Sequence, residues 1–129
     1  MAKPLKWLAR PEEKDYAAAR SYLSLLLAGD RLDEAVTLLR AAPEGHWRAK
    51  DVLRAAGLPL LKRKQSEEVA EKLEHAKAGR PLSPILLLHD GSGALVIADG
   101  YHRACAAFLI SEDAQVHGRL ALMPPVVRT

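Results

Sequence analysis

Apolar residues recur at helical spacing along the first third of the chain. The pattern runs through residues 15–28, is interrupted at Gly29, and resumes after Asp30, which is placed to cap a second helix. The second apolar stripe occupies positions i, i+3, i+4 and i+7, namely Leu32, Ala35, Val36 and Leu39. We therefore predict an N-terminal helical hairpin over residues 15–42.

The middle of the chain carries two shorter helical patterns. Residues 45–59 indicate a short extended piece and then one or two helical turns that end at Gly57. Ser66 precedes two glutamates, and this order of residue types caps a helix start and complements its dipole. The apolar face of the helix that follows is formed by Val69, Leu73 and Ala76.

The hydrophobic pattern changes period after residue 83. Residues 84–89 are an apolar run of strand length, residues 90–93 read AspGlySerGly and favour a turn, and residues 94–98 are a second apolar run. We predict a β-hairpin there, followed by a helix over residues 101–110 and a strand over residues 115–122. The fold class is therefore α+β, a small sheet with helices preceded by the helical hairpin.

Composition narrows the class of protein. Of the 129 residues, 49% are hydrophobic and 27% are charged, which is typical of a globular domain with its own core. Cys105 is the one cysteine, so no internal disulfide can form, and a cytoplasmic localisation is predicted. No apolar run approaches the roughly 20 residues of a membrane span, so no membrane partner is expected. The net charge of +3 permits a polyanionic partner without requiring one.

The block Asp99-Gly100-Tyr101-His102-Arg103 lies where the second apolar strand gives way to a helix. Free backbone N–H groups and the positive end of the dipole make a helix start suitable for an anion. Gly100 allows a sharp turn and a close approach of ligand, and Arg103 offers a planar fork of donors suited to phosphate. His102 is a candidate general acid or base, and Asp99 is a candidate Mg²⁺ ligand.

The same residues also have purely structural interpretations. Asp99 is a suitable N-cap for the helix that follows it. Arg103 has potential ion-pair partners in Glu12, Glu68 and Asp90. On these interpretations the block is a turn and a helix cap, without a ligand.

Other residues are weaker candidates for a catalytic or metal-binding role. Cys105 lies in an alanine-rich run and is interpreted as a small buried core residue. His89 and His117 are expected near one end of the sheet, but one cysteine and scattered histidines argue against a zinc site. The run Lys62-Arg63-Lys64 is interpreted as a solvated turn, which adds to an anion site only where the fold brings it near Arg103.

The order of motifs over residues 66–122 resembles the ParB/sulfiredoxin-like superfamily. A helix ends at Gly79, the sequence Ser83-Pro84-Ile85 opens an apolar strand, and a hairpin delivers AspGlyTyrHisArg to a helix start. The resemblance implies a ParB/sulfiredoxin-like domain over residues 46–123. Residues 1–45 lie outside the resemblance and are predicted to form an N-terminal arm and helical hairpin, and residues 124–129 a tail, within one compact unit.

The resemblance also implies a function for the block. Gly100, Tyr101, His102 and Arg103 would bind the phosphates of a nucleoside triphosphate, CTP or ATP, while Asp99 would bind Mg²⁺ and act with His102 in catalysis. Tyr101 stands where sulfiredoxins carry their reactive cysteine, which argues against sulfiredoxin activity.

Three functions stay open at this point. The first is a nucleotide-binding domain that acts as a hydrolase or a switch. The second is a metal-dependent nuclease or phosphotransferase of the AspGlyHisHisArg type. The third is a non-catalytic, DNA-associated or protein-binding module. The resemblance allows two further partners. One is nucleic acid bound without sequence specificity, and the other is a second copy of the chain.

Overall fold

The computed structural model describes residues 5–125, which form five helices and a four-stranded mixed sheet. The helices are α1 (Glu13–Leu23), α2 (Asp30–Ala41), α3 (Ala49–Ala56), α4 (Glu67–Lys77) and α5 (Tyr101–Ile110). The strands are β1 (Glu44–Arg48), β2 (Ile85–His89), β3 (Leu95–Asp99) and β4 (Gln115–Leu122). The predicted α+β class is confirmed.

The helical hairpin forms as predicted, but its first helix is shorter. Helix α1 ends at Leu23, and two tight turns follow before α2 begins. Leu26, which lies within the predicted helical pattern of residues 15–28, is therefore 53% exposed, whereas Leu23 is fully buried. The N-cap of α2 is Gly29 at a φ of 55°, and Asp30 is the first residue of the helix instead of its cap.

The middle helices follow the local signals in the sequence. Helix α3 ends at Gly57, which adopts a φ of 68° and so supplies the left-handed conformation that closes many helices. The Ser66 hydroxyl accepts a hydrogen bond from the Val69 N–H and caps α4. A 3₁₀ turn at Arg63–Gln65 precedes that cap.

The sheet has the strand order β1-β4-β2-β3. Strands β2 and β3 form the predicted antiparallel hairpin, β1 pairs antiparallel with β4, and β4 runs parallel to β2. The last strand in the chain is thus an inner strand of the sheet. The predicted domain boundary after residue 45 falls inside β1, which belongs to this sheet.

Helices cover both faces of the sheet. Helices α1 and α2 pack on one face against Leu86, Leu88 and Ala98. Helices α3, α4 and α5 pack on the other, against Ile85 and Leu87 among others. Strand β2 contributes alternate residues to both cores, which explains why its sequence is a continuous apolar run.

The segment before α1 is joined to the body by main-chain hydrogen bonds. The Leu8 N–H donates to the Leu82 carbonyl, and the Leu82 N–H donates to the Lys6 carbonyl, both at 2.8 Å. These bonds bring the start of α1 close to the residues that lead into β2. Among the helices of the described residues, none is both long and apolar enough to cross a bilayer.

Candidate functional site

The AspGlyTyrHisArg block forms the junction between β3 and α5. Asp99 is the last residue of β3, Gly100 is the N-cap of α5, and Tyr101 begins the helix. Gly100 adopts a φ of 108°, and a Cβ atom there would lie 2.5 Å from Ile85 Cγ2 and 2.9 Å from Arg103 Nη2. Only glycine satisfies both conditions, so the prediction of a sharp turn at Gly100 is confirmed.

Arg103 is buried beneath this junction and is ion-paired on two sides. Its Nη2 atom lies 2.5 Å from Asp99 Oδ2, and its Nη1 atom donates to the Ser83 carbonyl at 2.8 Å and lies 3.5 Å from Asp15 Oδ1. The side chains of Arg103 and Asp15 are each 8% exposed. The guanidinium therefore joins α5, α1 and the start of β2.

These pairings show that the N-cap interpretation of Asp99 is wrong, and that Arg103 is in an ion pair as expected but with other partners. Asp99 does not cap α5, because no side chain of the described residues caps that helix and the Asp99 carboxylate lies against Arg103. The partners of Arg103 are Asp99 and Asp15 instead of Glu12, Glu68 or Asp90. The Asp99 carboxylate, four residues before Arg103 in the chain, thus orients the Arg103 guanidinium.

Asp15 accepts two hydrogen bonds in addition to its ion pair with Arg103. Its Oδ2 atom accepts from the Glu12 N–H at 2.8 Å and from the Ser83 hydroxyl. A buried carboxylate is tolerated where a cation and several donors face it, and Arg103 and these two donors meet that condition. No pattern in the sequence distinguishes Asp15 from an ordinary acidic residue in the first turn of a helix.

Asp99 is the carboxyl group of the block, and its pKa is shifted. Burial raises its pKa above the ordinary value, the neighbouring Asp15 carboxylate raises it further, and the Arg103 guanidinium opposes both effects. The Asp99 side chain keeps 19% exposure. Asp99 is therefore a partly accessible carboxyl whose proton is held more tightly than that of a surface aspartate.

A cavity of about 240 Å³ opens beside the N-terminus of α5. We call it the α5 cavity; it is lined by Glu12, Lys14, Asp15, Lys72, His75, Pro81, Leu82, Ser83, Asp99, Gly100, His102 and Arg103. The first helical hydrogen bond of α5 runs from the Ala104 N–H to the Gly100 carbonyl, so the preceding N–H groups have no partner within the helix. The cavity joins this positive helix end to basic side chains from α1 and α4.

The structure brings four of the five residues of the block to this cavity and separates one. Asp99, Gly100, His102 and Arg103 line it, while Tyr101 does not. The Tyr101 hydroxyl donates to the Pro59 carbonyl at 2.6 Å, beyond the end of α3. The predicted contribution of Tyr101 to phosphate binding is thereby limited to its backbone N–H.

Several lining residues were not identified from the sequence. These residues are Lys14 of α1 and Lys72 and His75 of α4. In the sequence they look like ordinary polar residues on a helix surface, so nothing there distinguishes them as residues of a site. The basic run Lys62-Arg63-Lys64 does not line the cavity, and Arg63 instead pairs with Glu74 at 2.5 Å.

Cys105 is a core residue, as predicted. It is fully buried, its sulfur accepts a hydrogen bond from the Leu61 N–H at 3.5 Å, and burial raises the pKa of its thiol. A raised pKa and the absence of exposure both disfavour a nucleophilic thiolate. The chemistry of the site therefore falls to the carboxylates, histidines and lysines of the α5 cavity.

Compared with models of protein families, with curated proteins and with solved structures, the chain shows no significant match. The resemblance to the ParB/sulfiredoxin-like superfamily thus remains a prediction from short motifs. The geometry of the α5 cavity is what bears on the function of the chain.

Proposed function

We propose that the α5 cavity binds the phosphates of a nucleoside triphosphate, CTP or ATP, together with Mg²⁺. The observation that supports this most strongly is the position of the uncapped N-terminus of α5, which opens into a cavity with basic side chains. Backbone N–H groups and the helix dipole favour an anion there. Lys72 and His102 are the side chains placed to contact it.

The buried ion pairs assign Arg103 a supporting part in this proposal. Both terminal nitrogens of its guanidinium already contact protein oxygens, of Asp99, Asp15 and Ser83. Arg103 holds the start of α5 against α1 and β2, and so shapes the cavity. Direct contact with phosphate falls to the backbone after Gly100 and to Lys72 and His102.

The charge of the cavity explains why a metal ion belongs in the proposal. With both histidines neutral, the positive side chains Lys14, Lys72 and Arg103 are balanced by the negative side chains Glu12, Asp15 and Asp99. A triphosphate would therefore enter a site of no formal net charge. Carboxylate oxygens are the ligand type that Mg²⁺ prefers, so the acidic side of the cavity fits this ion, with Asp99 as its proposed ligand.

The volume of the cavity fits part of a nucleotide. Pockets that enclose a whole drug-sized ligand span about 300–1,000 Å³, and the α5 cavity has about 240 Å³. We therefore expect the phosphates to occupy the cavity and the nucleoside to lie across its rim, toward the exposed parts of α1 and α4.

The test is a thermal-shift panel with CTP, ATP, GTP and UTP, with and without Mg²⁺. A ligand at about 100 times its dissociation constant stabilises the folded state by about 2.7 kcal/mol, which is readily measured. We expect one nucleotide to raise Tm in the presence of Mg²⁺, and Lys72→Ala and His102→Ala to reduce that shift. Lys77→Ala is the matched control, because Lys77 is exposed on the same helix and does not line the cavity.

Two results would contradict nucleotide binding in this cavity. One is the absence of a Tm shift with all four nucleotides. The other is a shift of the same size in Lys72→Ala, His102→Ala and Lys77→Ala. The first result would favour a non-catalytic interaction module, in which the buried Arg103 cluster serves only to join α1 to α5. The second would mean that the nucleotide binds elsewhere on the protein.

A second candidate function, phosphoryl transfer or phosphodiester cleavage, is favoured by the state of Asp99. A partly exposed carboxyl with a raised pKa is better suited to exchange a proton near neutral pH than a surface aspartate. His102, on the next turn of chain, also lines the cavity. Release of inorganic phosphate or cleavage of a nucleic acid that persists in His102→Ala and Asp99→Asn would contradict this function.

A further inference from the structure

Two histidines and a glutamate converge on one face of the sheet, away from the α5 cavity. His46 of β1 and His117 of β4 are register partners, and Glu44 lies two residues before His46 on the same face. Glu44 Oε1 is 3.1 Å from His46 Nε2 and 3.7 Å from His117 Nδ1. One ligand atom from each residue lies within 4.8 Å of the other two.

We propose that Glu44, His46 and His117 bind a divalent transition-metal ion, and that Zn²⁺ is the ion they fit. Two imidazoles and one carboxylate are a ligand set that zinc accepts, with the remaining position left to water or a substrate. Metal–ligand bonds of about 2.0–2.2 Å in a tetrahedron place neighbouring ligand atoms about 3.3 Å apart. The distances from Glu44 Oε1 to His46 Nε2 and to His117 Nδ1 lie on either side of that value.

The position of the cluster gives an ion access from solvent. Strand β1 is an edge strand, and the side chains of His46 and Glu44 are 44% and 49% exposed. The centroids of the two imidazole rings lie 3.8 Å apart and the rings are nearly parallel, so binding of one ion by both requires the rings to rotate out of this stack. Trp7 covers the other side of His117, with ring centroids 5.4 Å apart.

One neighbouring charge opposes a cation at this cluster. Arg119 is the register partner of Glu44 on β4. Its guanidinium donates to the Ala9 carbonyl at 3.3 Å, which directs it toward the N-terminal segment. The Glu44 carboxylate therefore remains directed at the two imidazoles.

Scattered positions in the sequence argued against a zinc site, and the pairing of β1 with β4 changes that argument. His46 and His117 are far apart in the chain and meet only because β4 is placed beside β1. The proposed site shares no residue with the α5 cavity, so it does not depend on the proposed nucleotide binding.

The test is isothermal titration of the full chain, without an affinity tag, with ZnCl₂. We expect one Zn²⁺ per chain and an affinity that falls by at least about tenfold in His46→Ala and in His117→Ala, since each removes one ligand bond. His89→Ala is the matched control, because His89 is a histidine of the same sheet outside the cluster. Circular dichroism of each variant shows that the fold is kept.

A second readout uses the tryptophan that stacks on His117. In the Trp47→Phe variant, Trp7 is the remaining source of tryptophan fluorescence. Cu²⁺ bound at the cluster should quench the fluorescence of Trp7, because Trp7 stacks on His117. His46→Ala should abolish saturable quenching. The proposal is overturned if Zn²⁺ shows no saturable binding, if both cluster variants bind it as tightly as His89→Ala, or if quenching is unchanged in His46→Ala.

Discussion

Asp15 on α1 lies 3.5 Å from Nη1 of Arg103 on α5, and both side chains are almost completely buried. The contact joins the helical hairpin to the strand–helix junction that the sequence motif marks. The hairpin is therefore part of the candidate site, to which it contributes Asp15, Glu12 and Lys14. Removal of the hairpin would expose the Arg103 cluster as well as one face of the sheet.

Arg103→Ala should destabilise the protein strongly. The substitution leaves the Asp99 and Asp15 carboxylates buried without their cation, and breaking such a pair costs about 3–5 kcal/mol. Urea unfolding followed by circular dichroism measures this loss. Arg40→Ala is the comparison, because its pair with Glu13 is exposed to solvent and should contribute much less to the free energy of unfolding. Equal losses in the two variants would contradict the buried cluster.

The pKa of Asp99 should lie above its ordinary value and should fall in Asp15→Asn. Burial and the Asp15 charge both raise it, and the substitution removes the second contribution. Carboxyl ¹³C NMR titration measures the change. Asp90 is the internal reference, because hydrogen bonds from Ser92 lower its pKa and it lies outside the α5 cavity. An unchanged Asp99 pKa in Asp15→Asn would show that the two carboxylates do not interact.

The raised pKa of Asp99 also predicts a dependence of stability on pH. Between about pH 3.9, the unfolded value, and the folded pKa, the folded state binds more protons than the unfolded state. The contribution of Asp99 to the free energy of unfolding is therefore present at low pH and lost as pH rises through the folded pKa. Asp99→Asn should remove this component, which urea titrations across the acidic range would detect.

Gly100→Ala should cost about 2–4 kcal/mol, because it combines a strained φ with a clash against Ile85. Gly93→Ala separates the two effects. Gly93 has a similar φ of 100°, but a Cβ there meets nothing within 4 Å. We expect Gly93→Ala to show only the backbone cost, about 1–3 kcal/mol. Chemical denaturation of both variants measures the difference, and a smaller loss for Gly100→Ala than for Gly93→Ala would argue against the close packing at Ile85.

Ser66→Ala should destabilise the protein by about 1 kcal/mol through loss of the α4 cap. Ser66→Asp should retain most of the stability, because a carboxylate accepts the same Val69 N–H and complements the helix dipole. Thermal or urea unfolding distinguishes the two. If both substitutions had the same effect, the hydroxyl bond to Val69 would not be the source of the stabilisation.

The elements that the sequence predicted well are those set by local chemistry. The bounds of α5 and β4 agree with the predicted residues 101–110 and 115–122, and Ser66 caps α4 as expected. These local signals are the helical and strand periodicities, the capping residues and the turn glycines. They depend on near neighbours in the chain, so they can be predicted from the sequence alone. The end of α1 was missed because an apolar run continues past Leu23 into exposed turns.

By itself, then, the sequence determined the α+β class, the helical hairpin, the β-hairpin and the strand–helix junction at Gly100. The tertiary structure alone decided that β4 lies between β1 and β2, that Asp15 faces Arg103, and that His46 meets His117. The physical reason is that each of these contacts depends on which distant elements share a core. Burial of the two faces of the sheet selects that arrangement, and spacing along the chain does not encode it.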